Sequence, residues 1–112
     1  MHYMKLHPEP FAMIKSGKKT IELRLYDEKR QKIKVGDTIE FTDAVSGETL
    51  RATVTALHRF DNFAELYRSL PLLSCGYTEE TVAEAKPSDM ETYYTVVEQE
   101  KYGVVGIGLS LS

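Results

Sequence analysis

Three period-two runs constrain this chain's fold more than any other feature. Ile21, Leu23 and Leu25 alternate with Thr20, Glu22, Arg24 and Tyr26. Leu50, Ala52, Val54 and Ala56 share one parity, with His58 and Phe60 continuing it. Val105, Ile107, Leu109 and Leu111 alternate cleanly near the end of the chain. Side chains on a strand point to opposite faces in turn, so each apolar set enters a core together. The runs predict strands over about 19–26, 50–60 and 104–111, supplying the inward faces of one barrel-like sheet. Gly106 and Gly108 fall on the other face of the last strand. Glycine there fits a bend or the close approach of another element.

Shorter signals complete the outline. Met4–Leu6 and Thr38–Thr42 read as strands, and Ser46-Gly47 as a hairpin. Pro8-Glu9-Pro10 opens a helix through about Ser16, with Phe11, Met13 and Ile14 as its apolar stripe and Gly17 as its cap. Asp27 to Lys34 reads as a charged loop, followed by a turn at Val35-Gly36-Asp37. Asp61 or Asn62 caps a helix over Phe63 to Ser69, and Pro71 ends it. Thr78-Glu79-Glu80-Thr81 starts a second short helix, and the Ser-x-x-Glu pattern at Ser88 a third. Five or six strands with three or four short helices, and no regular crossovers, give an α+β class. A small mixed barrel fits better than a doubly wound sheet.

The length, 112 residues, suits one domain spanning 1–112. No apolar run approaches the roughly 18 residues of a membrane span. The N-terminus shows no signal-peptide core, and the lone Cys75 has no internal disulfide partner. A cytoplasmic protein without membrane association is expected. The histidines and Cys75 lack metal-ligand spacing, so neither metal nor other cofactor is expected.

Charge is unevenly placed. Residues 15–34 hold eight basic and three acidic residues, a net +5, whereas residues 35–112 carry −8. A local anion site suits this basic neck better than a long duplex, because the whole chain is at −3. A lysine-rich solvated strand would look the same. Lys18 and Lys19 stand at the entrance of the strand whose polar face carries Thr20, Glu22, Arg24 and Tyr26. Glu22 and Arg24 sit roughly 7 Å apart along it. Arg24 can hold an oxygen anion through its planar fork. Lys19 and Glu22 are the acid–base candidates, and an ion pair over the barrel is their plainer role. Tyr93, Tyr94 and Tyr102 offer stacking faces, Tyr94 first among them, although tyrosines on short helices more often pack in cores. His58 reads as a core or rim histidine, and Cys75 lacks a histidine partner for nucleophilic work.

The run Gly17-Lys18-Lys19-Thr20-Ile21-Glu22-Leu23-Arg24, preceded by Pro10-Phe11-Ala12-Met13-Ile14-Lys15-Ser16, resembles the signature of the ASCH (activating signal cointegrator homology) domain family. Ile33-Lys34-Val35-Gly36-Asp37-Thr38-Ile39-Glu40-Phe41 and Tyr102-Gly103-Val104-Val105 are similar to two further family elements. The resemblance implies a PUA-like barrel flanked by short helices, a cleft beside the first run, and an association with RNA. Some members are hydrolases acting on RNA or acylated nucleosides. Those that deacylate modified cytidine rely on a lysine, a threonine and a distant glutamate. Lys19 matches the lysine, but Glu22 stands where the threonine is expected. No acid stands at Cys75 to Tyr77, where the glutamate is expected; Glu79 and Glu80 lie beyond. The first expectation is therefore a protein that binds RNA or a nucleotide-like small molecule through Lys18, Lys19, Thr20, Glu22, Arg24, Tyr26 and Tyr94. A hydrolase using Lys19 and Glu22, and a protein-interaction adaptor using the acidic body, are the alternatives.

Overall fold

The computed structural model describes residues 1–111; residue 112, the last of the expected domain, lies outside them. Five strands form one sheet in the order β1-β3-β4-β5-β2: β1 His2–Leu6, β2 Ile21–Leu25, β3 Thr38–Asp43, β4 Thr49–Phe60 and β5 Val104–Leu111. β1 runs parallel to β3, and every other pair is antiparallel. The sheet curls so that side chains from β2 and from the segment just after it reach β1, the strand at the opposite edge. Arg24 Nη2 donates to the Lys5 carbonyl at 3.1 Å and Lys29 Nζ to the Tyr3 carbonyl at 2.9 Å. These bonds occupy edge carbonyls that no strand pairs.

The expectation of a single inward face needs correcting. The three runs lie in one sheet, but they bury two clusters, one on each side of it. Ala52, Val54, Val105, Ile107 and Leu109 join the first, which α1 (Pro8–Lys15) closes with Phe11 and Ile14. Ile21, Leu23, Leu25 and Val104 join the second, with Phe63 and Leu66 of α3 (Phe63–Ser69). Residues paired across strands share a face. Glu22 pairs with Ile107 and Arg24 with Val105. The polar face of β2 therefore looks into the barrel, while its apolar face supports the helices.

A second correction concerns β4. The register with β5 slips between Val54 and Ala56, so Thr55 is a bulge residue. The slip exchanges faces: Leu57, not Ala56 or His58, packs on the first cluster, and Phe60 packs on the second. Gly108 leaves room for the bulge, and Gly106 leaves room for Leu70 at the end of α3. A Cβ on Gly108 would lie 2.8 Å from Thr55 Oγ1, and one on Gly106 would lie 2.6 Å from Leu70 Cδ1.

Helical segments differ more from expectation. The charged loop contains a one-turn helix, α2 (Glu28–Gln31), because Asp27 accepts a cap bond from the Arg30 amide. Thr78 closes a turn onto Val82, and only a 3₁₀ turn, Val82–Glu84, follows. Pro87 starts the next 3₁₀ segment, Pro87–Thr92, one residue early. Ser88 is thus inside it, and Asp89 accepts from the Lys86 amide instead. α4 (Val96–Tyr102) was not expected; Thr95 and Glu98 form its capping box.

Candidate functional site

Lys19 precedes β2 and is fixed by its backbone. Its amide donates to Met13 O of α1, and the Thr20 amide donates to Ser74 O, in the 3₁₀ turn Leu72–Cys75. Gly76, at φ 110, ends that turn and packs on the Lys19 stem; a Cβ there would lie 3.3 Å from Lys19 Cδ. Lys19 is thereby swung over the polar face of β2.

The result is a buried triad. Glu22 Oε1 lies 2.7 Å from Lys19 Nζ, and Arg24 Nε donates to Glu22 Oε2 at 2.6 Å. Side-chain exposure is 10% for Lys19, 5% for Glu22 and 14% for Arg24. Burial pushes the Glu22 carboxyl up, but the Lys19 and Arg24 charges outweigh it and hold it below the usual carboxylate range. Burial works against the Arg24 charge, but Glu22 and the Tyr94 phenol outweigh it and hold its pKa above the ordinary arginine value. Oε1 is buried without a well-angled hydrogen bond, its compensation being the ammonium beside it. Two cations against one carboxylate leave a net charge of +1, held rigidly.

The triad lies at a cleft of about 770 Å³, a size that suits a small molecule. Its wall includes a hydrogen-bonded chain that sequence reasoning missed. Tyr77 donates to Asp89 Oδ2 at 2.7 Å, so the 2.7 Å contact between the two phenols has Tyr67 donating to Tyr77. Burial, with Tyr67 and Asp89, keeps the Tyr77 phenol far above its ordinary range. These three side chains come from separate segments, and no local pattern announces their meeting. Cys75 also lines the cleft, but burial pushes its thiol up to about 11, too high for a ready nucleophile.

Of the expected ligand residues, Lys19, Glu22, Arg24 and Tyr94 meet at this cleft. Tyr94 is half-buried, its ring stacked on Phe63 at 6.3 Å and 16°. Lys18 is exposed and does not line it. Thr20 borders a smaller hollow of about 300 Å³ beside Leu109. Tyr26 packs under Arg59, whose guanidinium carbon is 4.7 Å from the ring centre. Other charges of the basic neck are also engaged: Arg30 pairs with Asp27 and Lys15 with Glu48. Among the described residues, no group of three His, Cys, Asp or Glu side chains is placed to hold a metal ion. No described helix is long and apolar enough to cross a membrane.

Solved structures share this fold. The crystal structure of hypothetical protein PH0355 is 34% identical, with full coverage of both chains and a TM-score of 0.80. The solution structure of protein PF0455 from Pyrococcus furiosus is 34% identical over 98% of this chain and 96% of that one, with a TM-score of 0.75. ASCH from Zymomonas mobilis is 18% identical over 96% of this chain and 65% of that one, with a TM-score of 0.63, a likeness of fold. No curated protein matches the sequence. The ASCH domain family model matches residues 4–111, from the first strand to the last, and the chain belongs to the ASCH domain family, which is thought to bind RNA.

Proposed function

We propose that the cleft beside β2 binds RNA or a nucleotide-like ligand, with Lys19 and Arg24 receiving an anionic oxygen and Tyr94 bounding the space for a base. The observation that carries this reading is the buried triad itself. Its excess positive charge is desolvated, where charge-assisted bonds are strongest, and it faces a concave space of ligand size. Glu22 fixes both cations, so little ordering entropy is lost when a ligand arrives. The acidic remainder of the chain limits the contact to a short single strand or a single nucleotide.

Titration with short single-stranded RNAs tests this. Arg24→Lys keeps the charge beside Glu22 but loses the fork, and is expected to weaken binding by about 1–3 kcal/mol. Lys18→Ala and Lys32→Ala are expected to cost less and mainly to reduce the salt dependence. Equal losses at all three positions would show diffuse attraction without a pocket.

One observation favours a hydrolase as the second reading: Lys19 and Glu22 touch at 2.7 Å, within proton-transfer reach. Glu22, held ionised, would serve as the base on water. Lys19→Arg separates the readings, since arginine cannot deprotonate at working pH. A binder keeps most of its affinity with this change; an enzyme that needs Lys19 as the proton donor beside the Glu22 base binds and stops turning over.

A further inference from the structure

Beyond the triad, a ladder of three aromatic rings climbs from the core to the rim of the cleft. Phe63, at 1% exposure, is its foot in the second cluster. Tyr94 stacks on Phe63, so one of its faces is already taken. Its hydroxyl end is electrostatically coupled to Arg24. Tyr93 lies 6.5 Å further on, tilted 55° to Tyr94, and lines the cleft while 60% exposed. An aromatic ring held at a cleft mouth and left largely bare is unusual for a core residue; its open face is surface still to be buried. The chain then runs on to Val96 and Val97, the first residues of α4, at 50% and 73% exposure. Glu98 of the same turn folds back onto the Thr95 amide at 3.0 Å, which engages its carboxylate in the cap.

We propose that Tyr93 is the base-stacking residue of this site, and that the ligand is a single-stranded oligonucleotide rather than a free nucleotide. The inference rests on the nucleic-acid reading of the cleft given above. A phosphate held at Lys19 and Arg24 leaves its nucleotide inside the cleft, where Tyr94 is mostly committed to Phe63. Tyr93, at the rim, then receives the base of a neighbouring nucleotide, a contact that a free nucleotide cannot make. Stacking accepts any base, because each has a flat π face. The triad offers one net positive charge, so few phosphates are neutralised and the salt dependence is shallow.

The test is fluorescence anisotropy with an end-labelled RNA hexamer of mixed sequence, competed by the four ribonucleoside monophosphates. Tyr93→Ala is expected to weaken hexamer binding about 5- to 150-fold, the usual cost of one lost stacking contact. Tyr93→Phe is expected to stay within about two-fold of wild type, since the ring and not the hydroxyl is used. Monophosphate competition is expected to be unchanged by Tyr93→Ala and weakened by Arg24→Lys. An exposed position makes misfolding of either Tyr93 variant easy to recognise in a thermal melt. If Tyr93→Ala binds the hexamer as wild type does while Arg24→Lys binds it weakly, the Tyr93 proposal is overturned and the cleft reading stands. If the wild-type protein binds neither the hexamer nor any monophosphate, both fail.

Discussion

Glu22→Gln is the perturbation whose consequences follow most directly from the geometry. The amide has nearly the same shape but no charge, so Lys19 and Arg24 are left facing each other at side-chain exposures of 10% and 14%. Removing one partner from a buried ion pair costs about 3–5 kcal/mol, because the remaining charge is desolvated without compensation. The glutamine oxygen still accepts one bond, which places the expectation near the lower end, about 3 kcal/mol. A domain of this size is typically stable by about 5–15 kcal/mol, so the loss is a large fraction. It corresponds to roughly 12 °C in melting temperature at about 4 °C for each kcal/mol. Urea denaturation measures it, and the midpoint is expected to fall with the slope unchanged. Glu48→Gln is the internal control. It breaks the exposed Lys15–Glu48 pair, with side chains 60% and 47% exposed, and about 0–1 kcal/mol is expected. Phosphate added to the Glu22→Gln protein should recover part of the loss by binding the freed cations. A Glu22→Gln loss no larger than that of Glu48→Gln would refute the claim that the triad is buried and mutually compensated.

Glu22 also contributes to the acid limb of stability, beside Asp37, Asp43 and Asp89, whose carboxyls are likewise held low. Its folded-state carboxyl lies below the ordinary value, so its contribution is present above the unfolded value, near pH 4.3, and is lost as pH falls through the lower folded one. Acid titration of wild type and Glu22→Gln should therefore converge at low pH; parallel curves would contradict this. Cys75, with its thiol pushed up to about 11, should resist iodoacetamide at pH 8 when folded and react readily in urea. Rapid labelling of the native protein would show that the thiol is not buried. Gly106→Ala places a Cβ 2.6 Å from Leu70 Cδ1 and 3.1 Å from Ile21 Cγ2, and about 1–3 kcal/mol of destabilisation is expected by chemical denaturation. A neutral result would mean that α3 packs more loosely on β5 than the contacts indicate.

The strands were legible because alternation is a local property that survives folding. Ile21, Leu23 and Leu25 announce β2, and Gly17, at φ 82, ends the first helix region as expected. What alternation cannot carry is which side of a curled sheet faces which cluster. β2 is buried on both faces, so the residues read as its wet side, Glu22 and Arg24, line the barrel and its cleft instead. The Thr55 bulge was hidden because Ala56, His58 and Phe60 keep the period that the backbone breaks. α4 was missed because its leading valines are exposed and mimic a strand, although Thr95 and Glu98 spelled its capping box. The basic neck was visible, but the partners that engage it were not: Lys15 meets Glu48 and Lys29 meets the Tyr3 carbonyl across long sequence separations. The Tyr67–Tyr77–Asp89 chain is of the same kind.

If a short RNA sits in the cleft beside the triad, as proposed, it must perturb the residues that build that cleft. Backbone amide chemical shifts, followed by NMR as a single-stranded RNA hexamer is added, test this most directly. Saturable shifts are expected at Lys19, Glu22, Arg24 and Tyr94, and at Cys75 and Gly76 behind Lys19. Shifts confined to exposed lysines such as Lys18 and Lys32, growing linearly without saturation, would contradict it.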